Sequence, residues 1–178
     1  IRKAHAAALL DAAVPHLEWI SAFLGARSHV VYLVDADGVV LFSIGSLAHE
    51  LAPGLDARSN GVGTALEKGS PVAVLGPERL LERYPDCTSI AAPIHGPDGH
   101  VLGAVDVTTR SGEADPERLA VVSHVAWTIE RELVNMMLRD RLHSHDRLRR
   151  VVEAAVEHLP HAMLVASVDR TFVCASRG

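Results

Sequence analysis

The chain has 178 residues, room for one ordinary domain and a fraction of a second. Apolar residues make up 48%, too many for a disordered chain, and the net charge of −5 (17 basic against 22 acidic side chains) excludes a surface that attracts phosphate backbones throughout. Aromatics at 4% leave no base-stacking platform for single strands, and two cysteines, Cys87 and Cys174, make no disulfide framework, which fits a reducing cytoplasm.

The chain opens at Ile1 rather than Met, without a signal-peptide pattern, and reads as a piece of something longer. By inspection no apolar run approaches the ~18–20 residues of a membrane span. Residues 2–24 carry Leu9, Leu10, Ala13, Leu17, Ile20, Phe23 and Leu24 at spacings of three and four, a helix that Pro15 should kink or restart and Gly25 should stop. His29–Val34 and Val39–Ile44 are β-rich and flank Asp35-Ala36-Asp37-Gly38, a hairpin signal. A short helical piece around Ser46–Leu51 ends at Pro53-Gly54, and a polar loop runs to Asn60. Gly61–Lys68 reads as a short helix ended by Gly69, followed by a strand at Val72–Leu75 and a helical turn at Glu78–Arg83. Thr88–Ile94 and Val101–Thr108 are strands joined by the turn Gly96-Pro97-Asp98-Gly99.

Asp115-Pro116 has the chemistry of a helix start. From Glu117 to Leu159 there is neither Gly nor Pro, so one long helix is expected. Its apolar seam thins through the charged stretch Arg139–Arg150, where a shift of phase or a break is expected. Beyond Pro160, Met163–Val168 and Thr171–Cys174 flank Asp169-Arg170 as a tight hairpin. The order of elements implies an α+β fold with an antiparallel sheet and helices packed on it.

Four phrases together resemble a known family. They are Ser59-Asn60-Gly61-Val62-Gly63-Thr64-Ala65-Leu66, Pro71-Val72-Ala73-Val74, Cys87-Thr88-Ser89-Ile90-Ala91-Ala92-Pro93-Ile94, and Pro97-Asp98-Gly99-His100-Val101-Leu102-Gly103-Ala104-Val105-Asp106. The string resembles a GAF domain, of the kind that senses for bacterial sigma-54-dependent activators of acetoin and dihydroxyacetone catabolism. The tail is similar to the first hairpin of a PAS domain. The resemblance implies a GAF sensory domain over residues 1–138 with a central antiparallel sheet flanked by helices. A helical connector over 139–159 and a truncated PAS start over 160–178 would follow. It also implies a cytoplasmic regulator that binds a small metabolite in a cavity and relays it through a dimeric signalling helix. A signalling histidine kinase or other output enzyme using the same sensor, and a ligand-free dimerisation module, are the alternatives.

The candidate ligand-binding residues are Tyr32, Phe42, Asn60, Thr64, Cys87, Ser89 and Trp127, a set of apolar walls with few polar groups. Alternation puts Cys87 and Ser89 on one strand face and Thr88 on the other. Gly61 and Gly63 allow close backbone approach, but Leu66 stands where a dinucleotide fingerprint needs its third glycine. No catalytic residue is expected, because none of the 11 histidines sits in a nucleophile motif. One cysteine in the sensor region argues against the sulfoxide reductase activity of some GAF-fold enzymes.

Neither metal nor cofactor is expected either. His143 and His145 point to different helix faces, and His158 and His161 lack partners at a recognised spacing. His124, one turn before Trp127, is placed to face the domain core, where a lone histidine is ordinarily structural. Dimerisation is assigned to Leu133, Met136 and Met137 on the long helix, with Trp19 or Ile20 of the first. Arg139, Arg141, Arg147, Arg149 and Arg150 alternate with Asp140 and Asp146 and read as a solvated surface, without nucleic-acid contact.

Overall fold

A computed structural model of the chain describes residues 2–25, 28–46, 56–57, 61–75, 87–110, 116–157, 164–166 and 172–175. Its elements are α1 (Arg2–Leu24), β1 (His29–Asp35), β2 (Val40–Ile44), α2 (Gly61–Lys68), β3 (Val72–Val74), β4 (Cys87–His95), β5 (Val101–Arg110), α3 (Pro116–Glu157), β6 (Leu164–Ala166) and β7 (Phe172–Ala175). Chain contacts divide it into two units, residues 1–134 and 135–178. The helical pieces expected around Ser46–Leu51 and Glu78–Arg83 fall largely or wholly outside the described residues, as does Asp115.

In the first unit five strands form an antiparallel sheet in the order β2-β1-β5-β4-β3. This is the α+β architecture that the pattern of elements implies. Both expected turns close as their residues dictate. Asp35 Oδ1 accepts hydrogen bonds from the backbone N–H groups of Asp37 and Val39 at 3.0 and 2.9 Å, and Gly38 takes φ +79°. At the β4–β5 turn Gly99 takes φ +81° and its N–H donates to the Gly96 carbonyl at 2.9 Å.

Strands β1, β4 and β5 are buried on both faces. One face carries Val30, Tyr32, Val34, Val40, Ala91 and Ala104, and packs with Ala57 and with Val62 and Ala65 of α2. The register puts Val31, Leu33, Ile90, Ala92, Ile94, Val105 and Val107 on the other face. There Val107 meets Ile20 and Leu24 of α1 and Val121 and Val122 of α3. The described residues line a partly open pocket of about 270 Å³ at this junction, with Phe23, Glu117 and Arg118 completing its lining.

Three expectations are corrected. Pro15 neither breaks nor restarts α1, which is one helix of 23 residues. A proline inside a helix costs about 3 kcal/mol, but Pro15 and Asp11, whose carbonyl loses its partner, are both exposed to water. Burial of Leu9, Ala12, Ala13, Leu17, Ile20 and Leu24 on both sides of the proline keeps the helix continuous across it. Helix α3 runs unbroken through 42 residues, across the charged stretch. That stretch keeps strong helix formers, and the pair Arg149–Glu153, at 2.8 Å, supports it one turn apart. Finally, Ala6–Leu24, with a mean hydropathy of 1.2, is long and apolar enough to cross a membrane by length and composition. Its many alanines carry that hydropathy, and one face of the same helix is buried in the protein core.

In the second unit β6 and β7 pair antiparallel, Leu164 opposite Ala175 and Val165 opposite Cys174, as the tail pattern implies. Along α3, Leu138, Leu142, Leu148 and Val151 are exposed.

Gly103 gives a test of the sheet's packing. A Cβ there would run into the Val34 carbonyl oxygen and the Leu9 side chain, 3.1 Å away. Gly103→Ala is expected to destabilise the chain by about 1–3 kcal/mol, as overpacking does. Urea denaturation checks this, and an unchanged midpoint would show that β1 and β5 are not this close.

Candidate functional site

Four of the expected residues converge on the α2 face of the sheet. Tyr32 lies opposite Asp106 in the β1–β5 register, and Asp106 lies opposite Ala91 of β4. One step along, Ser89 of β4 lies opposite Thr108 of β5. Cys87 is two residues before Ser89, so alternation places it on the same face, where it is a buried thiol. Thr64 is half-buried on α2.

Tyr32 and Ser89 flank a carboxylate, Asp106, that stands outside the expected set. Asp106 has no exposed surface, and Ser89, Thr108 and Tyr32 are also buried. The Ser89 hydroxyl donates a short hydrogen bond to Asp106 Oδ1, and the Thr108 hydroxyl donates to Oδ2 at 2.8 Å. The backbone N–H of Gly61, the first residue of α2, donates to the Ser89 oxygen at 3.3 Å. Gly61 is required here: a Cβ would lie 2.9 Å from that oxygen. Burying a carboxyl group costs free energy unless its oxygens are hydrogen-bonded, and the two hydroxyls supply one bond to each oxygen here. A signal for Asp106 was present in the sequence. It is a lone carboxylate in the middle of the apolar run Gly103-Ala104-Val105-Asp106-Val107, in phase with Ala104 and Thr108.

Phe42, Trp127 and His124 do not join this face. A register shift between Leu33 and Val34 opposes Val34 to Val40 and Leu33 to Phe42. Phe42 therefore shares the helix-covered face with Leu33, although alternation alone would place it with Val40. Trp127 is half exposed on α3, across the sheet. His124 is exposed rather than facing the core, stacked on Trp127 with ring centroids 5.6 Å apart, and the Arg131 guanidinium lies 5.1 Å from the Trp127 ring. Asn60 lies outside the described residues.

Among the described residues, Ser89 bonds to Asp106 and to the Gly61 backbone N–H. Among the described residues no group of three His, Cys, Asp or Glu side chains could hold a metal. Of the residues expected to pair two chains, Leu133 is buried, and Met136 and Met137 are half-buried.

Ser89→Ala is expected to cost about 1–3 kcal/mol, because it leaves the Gly61 N–H and one Asp106 oxygen without this partner in a buried site. Chemical denaturation measures it. A loss below about 0.5 kcal/mol, the range of neutral surface changes, would show that the bridge does not hold α2 to the sheet.

Comparison with known proteins follows the same outline. A profile of the GAF domain family matches residues 9–133. The chain is 29% identical over 185 residues to the acetoin dehydrogenase operon transcriptional activator AcoR of Bacillus subtilis, covering 94% of this chain and 29% of that protein. It is 31% identical over 142 residues to the propane 2-monooxygenase operon transcriptional activator MimR of Mycolicibacterium smegmatis, covering 72% of this chain and 24% of that protein. The chain thus spans less than a third of either relative. Among solved structures, the E. coli DhaR(N)–DhaL complex is similar in fold, with a TM-score of 0.74 at 13% identity over 96% of this chain and 62% of that one.

Proposed function

From the premise that the chain belongs to the GAF domain family, we propose that it is the sensory region of a cytoplasmic transcription regulator, binding a small metabolite at the α2 face. The relatives are transcriptional activators, which supports the regulatory reading and a non-enzymatic one. The observation that carries the ligand reading is the buried polar cluster Ser89, Asp106 and Thr108 beside Tyr32. Apolar walls with a few convergent polar groups suit a small organic molecule. The proposed lining is Tyr32, Thr64, Cys87 and Ser89 with Asp106, and Asn60 ahead of α2.

In this reading residues 1–138 are the sensor, 139–159 the connector and 160–178 the start of a PAS domain. The ligand favours one of two arrangements of the helices, and α3 passes the bias on. Pairing of two chains along α3 is supported by its length and by the exposed Leu138, Leu142, Leu148 and Val151. Leu133 is already covered by its own chain, so Met136 and Met137 are the contacts proposed to remain. DNA contact is assigned to parts of the protein outside these residues; the chain spans less than a third of the activators it matches.

Two measurements test the proposal. A panel of small hydroxy- and keto-metabolites should include one that raises Tm; a ligand at about 100 times its Kd adds about 2.7 kcal/mol to stability. If no compound binds and mutation of Ser89 or Thr64 alters only stability, the site is a packing feature and the chain a ligand-free module. Sedimentation should give a dimer, reduced to a monomer of unchanged Tm by the double substitution Met136→Asp and Met137→Asp. A monomeric parent chain would remove the helix-pairing part.

A further inference from the structure

Helices α1 and α3 cover the same face of the sheet, where Ile20 and Leu24 of one and Val121 and Val122 of the other meet around Val107. Their opposite sides are turned to water and carry large aromatic rings. Trp19, Phe23 and Trp127 are 55%, 61% and 50% exposed. Trp19 stacks on Phe23 with ring centroids 5.6 Å apart and planes 12° from parallel. Trp127 stacks on His124 and has the Arg131 guanidinium 5.1 Å from its ring. Exposed apolar residues scattered singly need no explanation, but three large aromatics held in stacks on the outside of one helical layer mark a place of contact.

Charge divides over the same layer. Asp11 and Glu18 are exposed on α1, seven residues apart. That is two helical turns, about 10.5 Å at ~1.5 Å per residue. His124 and Arg131 are exposed on α3 at the same spacing. Among the described residues neither acid pairs with Arg131, whose guanidinium rests against the Trp127 ring. The outer side of α1 is thus acidic and aromatic, and that of α3 is basic and aromatic.

We propose that this surface pairs two copies of the chain, with α1 of each copy lying against α3 of the other. Asp11 and Glu18 of one copy then stand opposite His124 and Arg131 of the second, and the aromatic stacks close between them. The occupant is a second copy because this chain carries both halves of the contact, matched in charge and in spacing. One chain cannot bring its own two strips face to face, since both point away from the same sheet face. A two-fold axis does so, and makes the contact twice. Trp and Arg are also the side chains that most often anchor interfaces. The inference rests on the two-chain part of the reading above and goes beyond it in making α1 half of the contact.

Intrinsic fluorescence of the full chain tests it, because Trp19 and Trp127 are its two tryptophans. Both rings leave water on pairing, so dilution through the dimer–monomer transition, followed by sedimentation, is expected to red-shift the emission. Pairing through Met136 and Met137 alone would leave both rings wet and the emission unmoved. Charge exchange supplies a second readout. Asp11→Lys with Glu18→Lys, and separately Arg131→Glu, are each expected to raise the dimer Kd by about tenfold, since exposed pairs are individually weak but the two-fold axis repeats them. All three substitutions together are expected to return the Kd to within about threefold of the parent, as coupled charges do in a mutant cycle.

The inference is overturned if the parent chain is a monomer, if the emission stays fixed while the dimer dissociates, or if the triple variant pairs no better than the partial ones. Should a charge variant fail to fold, the emission of the parent chain decides. A dimer with fixed emission that Met136→Asp and Met137→Asp together dissociate leaves pairing along α3 standing without α1. A dimer that survives that double substitution and follows the charge exchange does the opposite.

Discussion

Strand β5 is hydrogen-bonded along both edges, to β1 and to β4, and is buried on both faces for most of its length. A strand so placed leaves each side chain one of two dry environments, and any polar group there must find its partner within the protein. The first unit is organised by that requirement. Gly103, Val105, Val107 and Thr109 belong to the side of α1 and α3, where Leu9 approaches Gly103 and Arg118 donates to the Thr109 hydroxyl at 3.1 Å. Ala104, Asp106 and Thr108 belong to the side of α2.

On the α2 side the same requirement produces the site. Small residues at Ala91 and Ala104 let the helix approach, and the Asp106 carboxylate accepts hydrogen bonds from the buried Ser89 and Thr108 hydroxyls. Ser89 then passes the bond on to the first N–H of α2, a group that no helix can satisfy within itself. The helix is thus placed by polar bonds at its start and by Val62 and Ala65 along its length.

Local elements were legible wherever a short stretch carried its own instruction. Asp35 and Gly38 close a hairpin by bonds within the turn, Gly25 and Gly69 stop helices by taking positive φ, and the stretch from Glu117 lacking Gly and Pro forms one helix. The errors share a different cause. Phe42 changes face because one bulge in β2 shifts the register against β1, which no pattern within β2 announces. Pro15 stays inside α1 because burial on both sides of it outweighs its local preference. His124 and Trp127 were read as facing the core but stack together on the exposed side of α3.

The sequence by itself determined the strands, the turns, the long helix and the family, because these rest on periodicity, turn chemistry and an ordered string of motifs. Only the tertiary structure decided which side chains meet. Asp106 becomes the centre of the site because β1, β4 and α2, separated by long stretches of chain, all close on one strand. His95 gains a partner 35 residues away, the Glu130 carboxylate, for the same reason. Nearness along the chain fixes backbone conformation, whereas the meeting of buried polar groups depends on register and on the choice of sheet face. Both are settled by packing the whole unit at once.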